Sequence, residues 1–196
     1  VNHRLPLDTV HYILADCRAE LCIVDAAREA LVPLALPRIV MRSPGAQALE
    51  ARGAAAMALE RRTPPQTGEI LYTSGSTGLS KGVLHGHRIL HAYKTSLSLF
   101  FNIELQDPDL VFWTPADWAW IGGLVDVVYP AWAYGHVIVA SQHRFDPEWA
   151  LGFMAKHGVT HSLLTATGLK RIAQIAAPRK RWPALRLRTI FTGGEA

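Results

Sequence analysis

Leu71-Tyr72-Thr73-Ser74-Gly75-Ser76-Thr77-Gly78-Leu79-Ser80-Lys81-Gly82-Val83 places three glycines, a run of hydroxyls and one lysine between two short apolar segments. That is the composition of a loop wrapped around a polyphosphate. Glycines let backbone N–H groups approach an anion closely and adopt φ > 0. The hydroxyls donate further hydrogen bonds, and the lysine adds a mobile point charge. The alternative is a Ser/Gly-rich surface hairpin with no ligand.

The Walker pattern, G-x-x-x-x-G-K-[ST], does not fit. Counting from Gly75 puts Ser80 where the second glycine belongs, and Gly82 follows Lys81 where a magnesium-binding hydroxyl belongs. Gly82-Val83-Leu84-His85-Gly86 reads as a short strand and turn. The spacing therefore predicts a strand–loop–strand grip on phosphate, with Glu69 to Thr73 as the entering strand.

Outward from the loop, the pattern predicts an α/β fold. Arg88 to Phe101 is an amphipathic helix, with Ile89, Tyr93, Leu97 and Phe100 on one face. Strands follow at Leu110–Thr114, His136–Ala140, Val159–Leu164 and Leu187–Phe191, with helices at Gly123–Tyr134, Pro147–Lys156 and Gly168–Ala176 between them. Alternating strands and helices, with continuously hydrophobic strands, predict a largely parallel sheet flanked by helices. Upstream, Pro6 to Arg18 is a helix capped by Asp8, with Val10, Ile13, Leu14 and Cys17 on one face. Leu21 to Val24 is a buried strand, Arg38 to Met41 a second, and Gly45 to Arg61 an Ala-rich helix. The expected organisation is an upstream α/β segment over 1–62, a Pro-marked linker over 63–68, and a binding core over 69–196.

Two further stretches stand where α/β sheets bind ligands, beyond strand C-terminal ends. Thr114-Pro115-Ala116-Asp117-Trp118-Ala119-Trp120-Ile121-Gly122-Gly123 sets two tryptophans beside small residues. They can wall an apolar slot in which the glycines leave room for a substrate chain; ordinary core aromatics are the alternative. Thr165-Ala166-Thr167-Gly168-Leu169 follows another strand, and Thr165 is read first as a cap of the next helix.

These stretches, in this order, resemble the acyl-adenylate-forming superfamily of acyl-CoA synthetases, luciferases and peptide-synthetase adenylation domains. Tyr72 to Gly82 resembles its phosphate loop, [Y/F]-T-S-G-[S/T]-T-G-x-P-K-G, with Ser80 in place of proline. Ala116, Asp117 and Trp120 match the A-D-x-G-W carboxylate-pocket motif of acetyl- and medium-chain acyl-CoA synthetases, with Ala119 replacing glycine. Thr189-Ile190-Phe191-Thr192-Gly193-Gly194-Glu195-Ala196 resembles the strand and G-G-E-A turn that lies along adenine. The resemblance implies part of the large N-terminal domain of an AMP-forming carboxylate–CoA ligase. Such an enzyme joins a carboxylic acid to ATP as acyl-adenylate, and then to CoA as thioester, with Mg2+ accompanying the ATP.

The site residues it implies are Thr73, Ser74, Gly75, Ser76, Thr77, Gly78 and Lys81 for the triphosphate, with Lys81 catalytic. Gly193, Gly194 and Glu195 border adenine, and Asp117, Trp118, Trp120, Ile121 and Gly122 border the acid. The family's magnesium-binding Thr-Glu segment, ribose aspartate and C-terminal lysine have no counterpart here, and Val1 is not a start residue. An internal fragment, inactive alone, is the expectation. An adenylation domain loading a carrier protein and a non-catalytic nucleotide-binding remnant are the alternatives.

Bulk properties agree with a packed domain: 49% hydrophobic and 18% charged residues over 196 positions. The net charge of +4 reflects the run Arg179-Lys180-Arg181 with Arg186 and Arg188, which lacks aromatic interleaving apart from Trp182. A solvated connector is favoured over a nucleic-acid surface. No apolar run reaches the ~18 to 20 residues of a membrane span. Cys17 and Cys22 read as small buried hydrophobes in a reduced cytoplasm. The nine histidines, His85, His87, His157 and His161 among them, show no metal-ligand spacing and read as structural or surface residues.

Overall fold

The structure, a computed structural model, describes residues 1–2, 4–53, 66–73 and 78–193, apart from the side chains of Lys94, Thr95 and Leu97. The chain separates into two compact units, Val1–Arg88 and Ile89–Ala196. Residues 54–61 of the helix expected over Gly45 to Arg61, residues 63–65 of the 63–68 linker and the Leu97 position on its helix face lie outside the described residues.

In the first unit, α1 (Leu7–Asp16) buries Val10 and Ile13, as their spacing predicts. Asp8 does not cap it. Pro6 holds the N-cap position without a side-chain bond, and Asp8 sits in the first turn, where it complements the helix dipole instead. The strands β1 (Cys22–Val24) and β2 (Arg38–Val40) pair in parallel, followed by α2 (Pro44–Gly53). The expectation of a buried first strand is not met: the pleat sends Ile23 to the face opposite Cys22 and Val24, where it is 67% exposed. Both cysteines are free and half-buried. Antiparallel β3 (Thr67–Thr73) and β4 (Lys81–Gly86) form the stems of the glycine-rich loop. Thr67 and Gly68, expected in the linker, join β3 because β4 extends to Gly86 and pairs with Thr67.

The second unit opens with α3 (Ile89–Phe100) and builds one four-stranded parallel sheet from β5 (Val111–Trp113), β6 (Val137–Ile138), β7 (His161–Leu163) and β8 (Thr189–Phe191), in the order β6-β5-β7-β8. Successive side chains of a strand point to opposite faces. Phe112 and Leu163 therefore enter one core with Phe101, Leu105, Leu110, Val127 and Ala131. Trp113 and Leu164 enter another with Ala150, Leu151, Met154 and Ile172. Burial on both faces is why these strands read as unbroken apolar runs.

The helical run after β5 is α4 (Ile121–Gly123), a π-turn over Leu124–Val128, and α5 (Tyr129–Ala133). Pro130 supplies a reason for the wide turn: a proline ring clashes with the carbonyl four residues back, here that of Asp126. On the other face, α6 (Pro147–His157) carries complete end signals. Asp146 Oδ1 accepts from the Trp149 N–H at 2.9 Å, Pro147 opens the first turn, and Gly158 closes the helix at φ 63°. The helix α7 (Ala166–Ala173) and the short α8 (Pro178–Arg181) complete the unit. The basic run is exposed, and part of it is paired: Arg181 binds Glu148 and lies over Trp182, and Arg188 binds Glu104 and Asp107. No helix among the described residues is long and apolar enough to cross a membrane.

Candidate functional site

The strand order decides where the second unit can bind a ligand. From β5 the chain moves outward to β6, and from β7 it moves the opposite way to β8. The connections diverge between β5 and β7, and in such sheets the divergence opens a crevice beyond the strand C-terminal ends. Three of the stretches singled out in the sequence meet along this edge. Thr114, at the end of β5, donates its hydroxyl to the Leu163 carbonyl at 2.9 Å and accepts the Ala116 N–H at 3.1 Å. Leu164 N–H donates to the Phe191 carbonyl at 3.0 Å, which brings Thr165 beside the end of β8 and Gly193.

Around Thr114 the loop is held by its own polar groups. Asp117 Oδ1 accepts from the Ala119 N–H at 2.9 Å, and its carbonyl accepts from the Trp120 N–H at 3.0 Å. Both glycines that follow are needed for packing. A Cβ on Gly122 would overlap the Trp120 indole, and one on Gly123 would come within 2.6 Å of the Asp117 carbonyl oxygen. The room expected at Gly122 for a substrate chain is thus taken by Trp120 itself, because the indole folds back over the helix start. Trp120 remains 44% exposed and Ile121 38% exposed, while Trp118 stands edge-to-face with Trp132 at 6.4 Å. Thr165 caps α7, its Oγ1 accepting from the Gly168 N–H at 3.1 Å.

Asp126 is a residue the motifs did not flag. It lies in the π-turn about one turn on from Gly122, and burial pushes its carboxyl up to about 6. A signal existed: Asp126 is the sole acid between Asp117 and Asp146.

In the first unit, β3 and β4 set Thr73 directly opposite Lys81, so that a hydroxyl and a cation flank the loop's two stems. Both residues are exposed. Gly78 takes φ 115°, a conformation that needs glycine. Ser74, Gly75, Ser76 and Thr77, like Gly194 and Glu195, lie outside the described residues.

His161 and His87 are packed against the fold. His161 is buried at the far, N-terminal end of β7, stacked on Phe112 at 5.2 Å with Nδ1 on the Thr160 hydroxyl at 2.9 Å. Desolvation lowers its basicity, opposed by the Glu104 carboxylate 3.4 Å from Nε2. The His87 ring covers Gly68. Among the described residues, no group of three or more His, Cys, Asp or Glu could hold a metal ion.

A family model described as "AMP-binding enzyme" matches residues 1–196. The chain belongs to the AMP-binding enzyme family. Among curated members, acetyl-coenzyme A synthetase of Bacillus subtilis is 37% identical over 89 residues, covering 45% of this chain and 15% of that protein. The human mitochondrial acyl-CoA synthetase short-chain family member 3 is 30% identical over 136 residues, covering 64% of this chain and 19% of that protein. The chain thus aligns to about a fifth or less of the curated relatives' length. In fold it is similar to ATP-bound MatB from Rhodopseudomonas palustris, with TM-score 0.77 and 21% identity over 99% of this chain and 39% of that one. O-succinylbenzoate coenzyme A synthetase (MenE) from Bacillus subtilis, in complex with AMP, gives TM-score 0.75 and 22% identity over 99% of this chain and 47% of that one. The AMP-binding fold, an α/β architecture with a parallel sheet between helices, is therefore shared at low sequence identity.

Proposed function

We propose that this chain supplies the triphosphate grip and the acid- and adenine-binding sheet edge of an AMP-forming carboxylate–CoA ligase. The reaction joins a carboxylate oxygen to the α-phosphorus of ATP and expels pyrophosphate. The CoA thiol then attacks the acyl carbon, and AMP leaves. The observation that carries the reading is the β5/β7 divergence, which sets the segments after β5, β7 and β8 along one sheet edge, in a member of the AMP-binding family.

Each group has a task in the first half-reaction, which needs alignment and charge neutralisation more than covalent help. Thr73 and Lys81, facing each other across the loop stems, bind β- and γ-phosphate oxygens together with Ser74 to Gly78. The Lys81 cation offsets charge that moves onto the departing pyrophosphate. Trp118, Trp120 and Ile121 border the acid, and Asp117 fixes the turn that presents them. Gly193, Gly194 and Glu195 border the adenine. Mg2+ accompanies the ATP and screens the triphosphate charge. The acetyl- and short-chain relatives make short carboxylic acids the first substrates to try.

The test is acid-dependent ATP–pyrophosphate exchange by the full-length gene product that carries this chain, with Lys81→Ala beside the natural protein. The substitution is expected to lower exchange by roughly 10²-fold, the scale for one preorganised stabiliser. An unchanged rate removes Lys81 from the mechanism. Acyl-adenylate formed without transfer to CoA favours loading of a carrier protein. Exchange by the 196-residue chain alone would overturn the expectation that the remaining parts are required.

A further inference from the structure

Tyr12 and Asp16 lie one turn apart on α1, and each engages a different stem of the glycine-rich loop. Tyr12 Oη donates to the Ser80 carbonyl at 3.1 Å, just before β4 begins. Tyr72, near the end of β3, donates its own Oη to Asp16 Oδ2 at 2.5 Å. One face of one helix therefore holds the chain where it enters the loop and where it leaves.

The stem geometry is built for this reach. Tyr72 stands in register with Gly82 on β4. A Cβ on Gly82 would come within 3.1 Å of Tyr72 Cζ and 2.9 Å of Ile70 Cγ2, so the bare glycine backbone lets the phenol ring lie close across the partner strand. Burial, then the Asp16 bond and charge, raise the Tyr72 phenol above its ordinary range, so it stays a donor at every physiological pH.

We propose that Tyr12 and Asp16 are positioning residues for ATP, forming a two-point clamp that fixes the stems of the phosphate loop. The inference rests on reading that loop as the triphosphate grip. Its physical need arises at Ser80. A proline there would lock φ near −65°, whereas serine leaves the exit stem free to rotate. Ordering that stem only when ATP arrives would consume binding free energy. The Tyr12 bond to the Ser80 carbonyl restrains the same residue in advance, and the Asp16 bond does so for the entering strand.

The experiment uses the full-length gene product in three forms besides the natural one: Tyr12→Phe, Asp16→Ala and the double variant Tyr12→Phe/Ser80→Pro. KM is measured separately for ATP and for the acid, and hydrogen exchange is followed in peptides spanning Thr73 to Val83. Loss of one such hydrogen bond is expected to raise KM for ATP about 3- to 10-fold. KM for the acid stays unchanged, and amide exchange in the stems becomes faster. Adding proline at position 80 is expected to recover the greater part of the Tyr12→Phe loss. Unchanged KM for ATP in both single variants overturns the clamp, as does an equal rise for ATP and acid, or a double variant no better than Tyr12→Phe. Failure of the underlying reading looks different: the natural protein itself then shows no acid-dependent exchange, whatever the variants do.

Discussion

Replacing Asp126 by asparagine removes a charge that the folded chain holds at a cost, and the stability it returns depends on pH. Burial raises the Asp126 carboxyl from 3.8 to about 6, with no other cause opposing or assisting. The folded state therefore binds the proton more tightly than the unfolded state. The sign follows: stability falls as pH rises from the unfolded value near 3.8 through the folded value near 6, then stays level. The full shift is worth about 3 kcal/mol at ~1.4 kcal/mol per unit. Asp126 keeps part of its surface in water, and solvent screening reduces the expected gain to about 1 kcal/mol. Asparagine mimics the protonated acid in shape. Asp126→Asn should thus match the natural protein near pH 4 and exceed it near pH 7.5. The assay is urea unfolding at both values. With a slope of roughly 2 kcal/mol per molar urea, the midpoint at pH 7.5 should rise by about 0.5 M. An equal midpoint difference at the two pH values would refute the reasoning, because it would make the effect independent of ionisation. A net loss at pH 7.5 would show that the carboxylate has a favourable partner.

Two other substitutions test the packing at the sheet edge. Gly122→Ala should destabilise by about 1–3 kcal/mol, since its Cβ must displace the Trp120 indole; Gly53→Ala, whose Cβ meets open space, should cost nothing and can gain about 1 kcal/mol. Parallel urea titrations check both, and equal midpoints would exclude the Trp120–Gly122 contact. Thr165→Ala removes the α7 cap and should cost about 1 kcal/mol, whereas Thr165→Ser should restore most of it. A thermal melt that does not separate the alanine and serine variants would rule out the cap.

Local patterns foretold most of the second unit. The parallel sheet was readable because both of its faces are covered, which turns strands such as Val159–Leu164 into uninterrupted apolar runs. The start of α6 was readable because Pro147 suits a first helical turn, and in the structure Asp146 and Gly158 complete its two ends. The Thr165 cap and the strand–loop–strand around Lys81 were legible for the same reason. Elsewhere the patterns misled. Leu21 to Val24 is apolar in sequence, yet Ile23 meets no cover, because burial depends on what packs against a face. Gly122 suggested an open slot, but a glycine does not announce which neighbour will fill its space. The π-turn and the desolvated Asp126 arise where Pro130 and a sheet-packed helix meet, a conflict that no apolar periodicity encodes.

By itself, then, the sequence determined the chemistry on offer: hydroxyls and glycines between Thr73 and Lys81, tryptophans in the segment after β5, and the stretch Gly193-Gly194-Glu195 after β8. Tertiary structure alone decided the order β6-β5-β7-β8, which sets Thr114 and Thr165 at neighbouring strand ends. It also joined Tyr12 to Ser80 across 68 positions of chain. Propensity and capping act over a few residues, whereas strand order and side-chain partners are fixed by the packing of surfaces that the chain brings together only on folding.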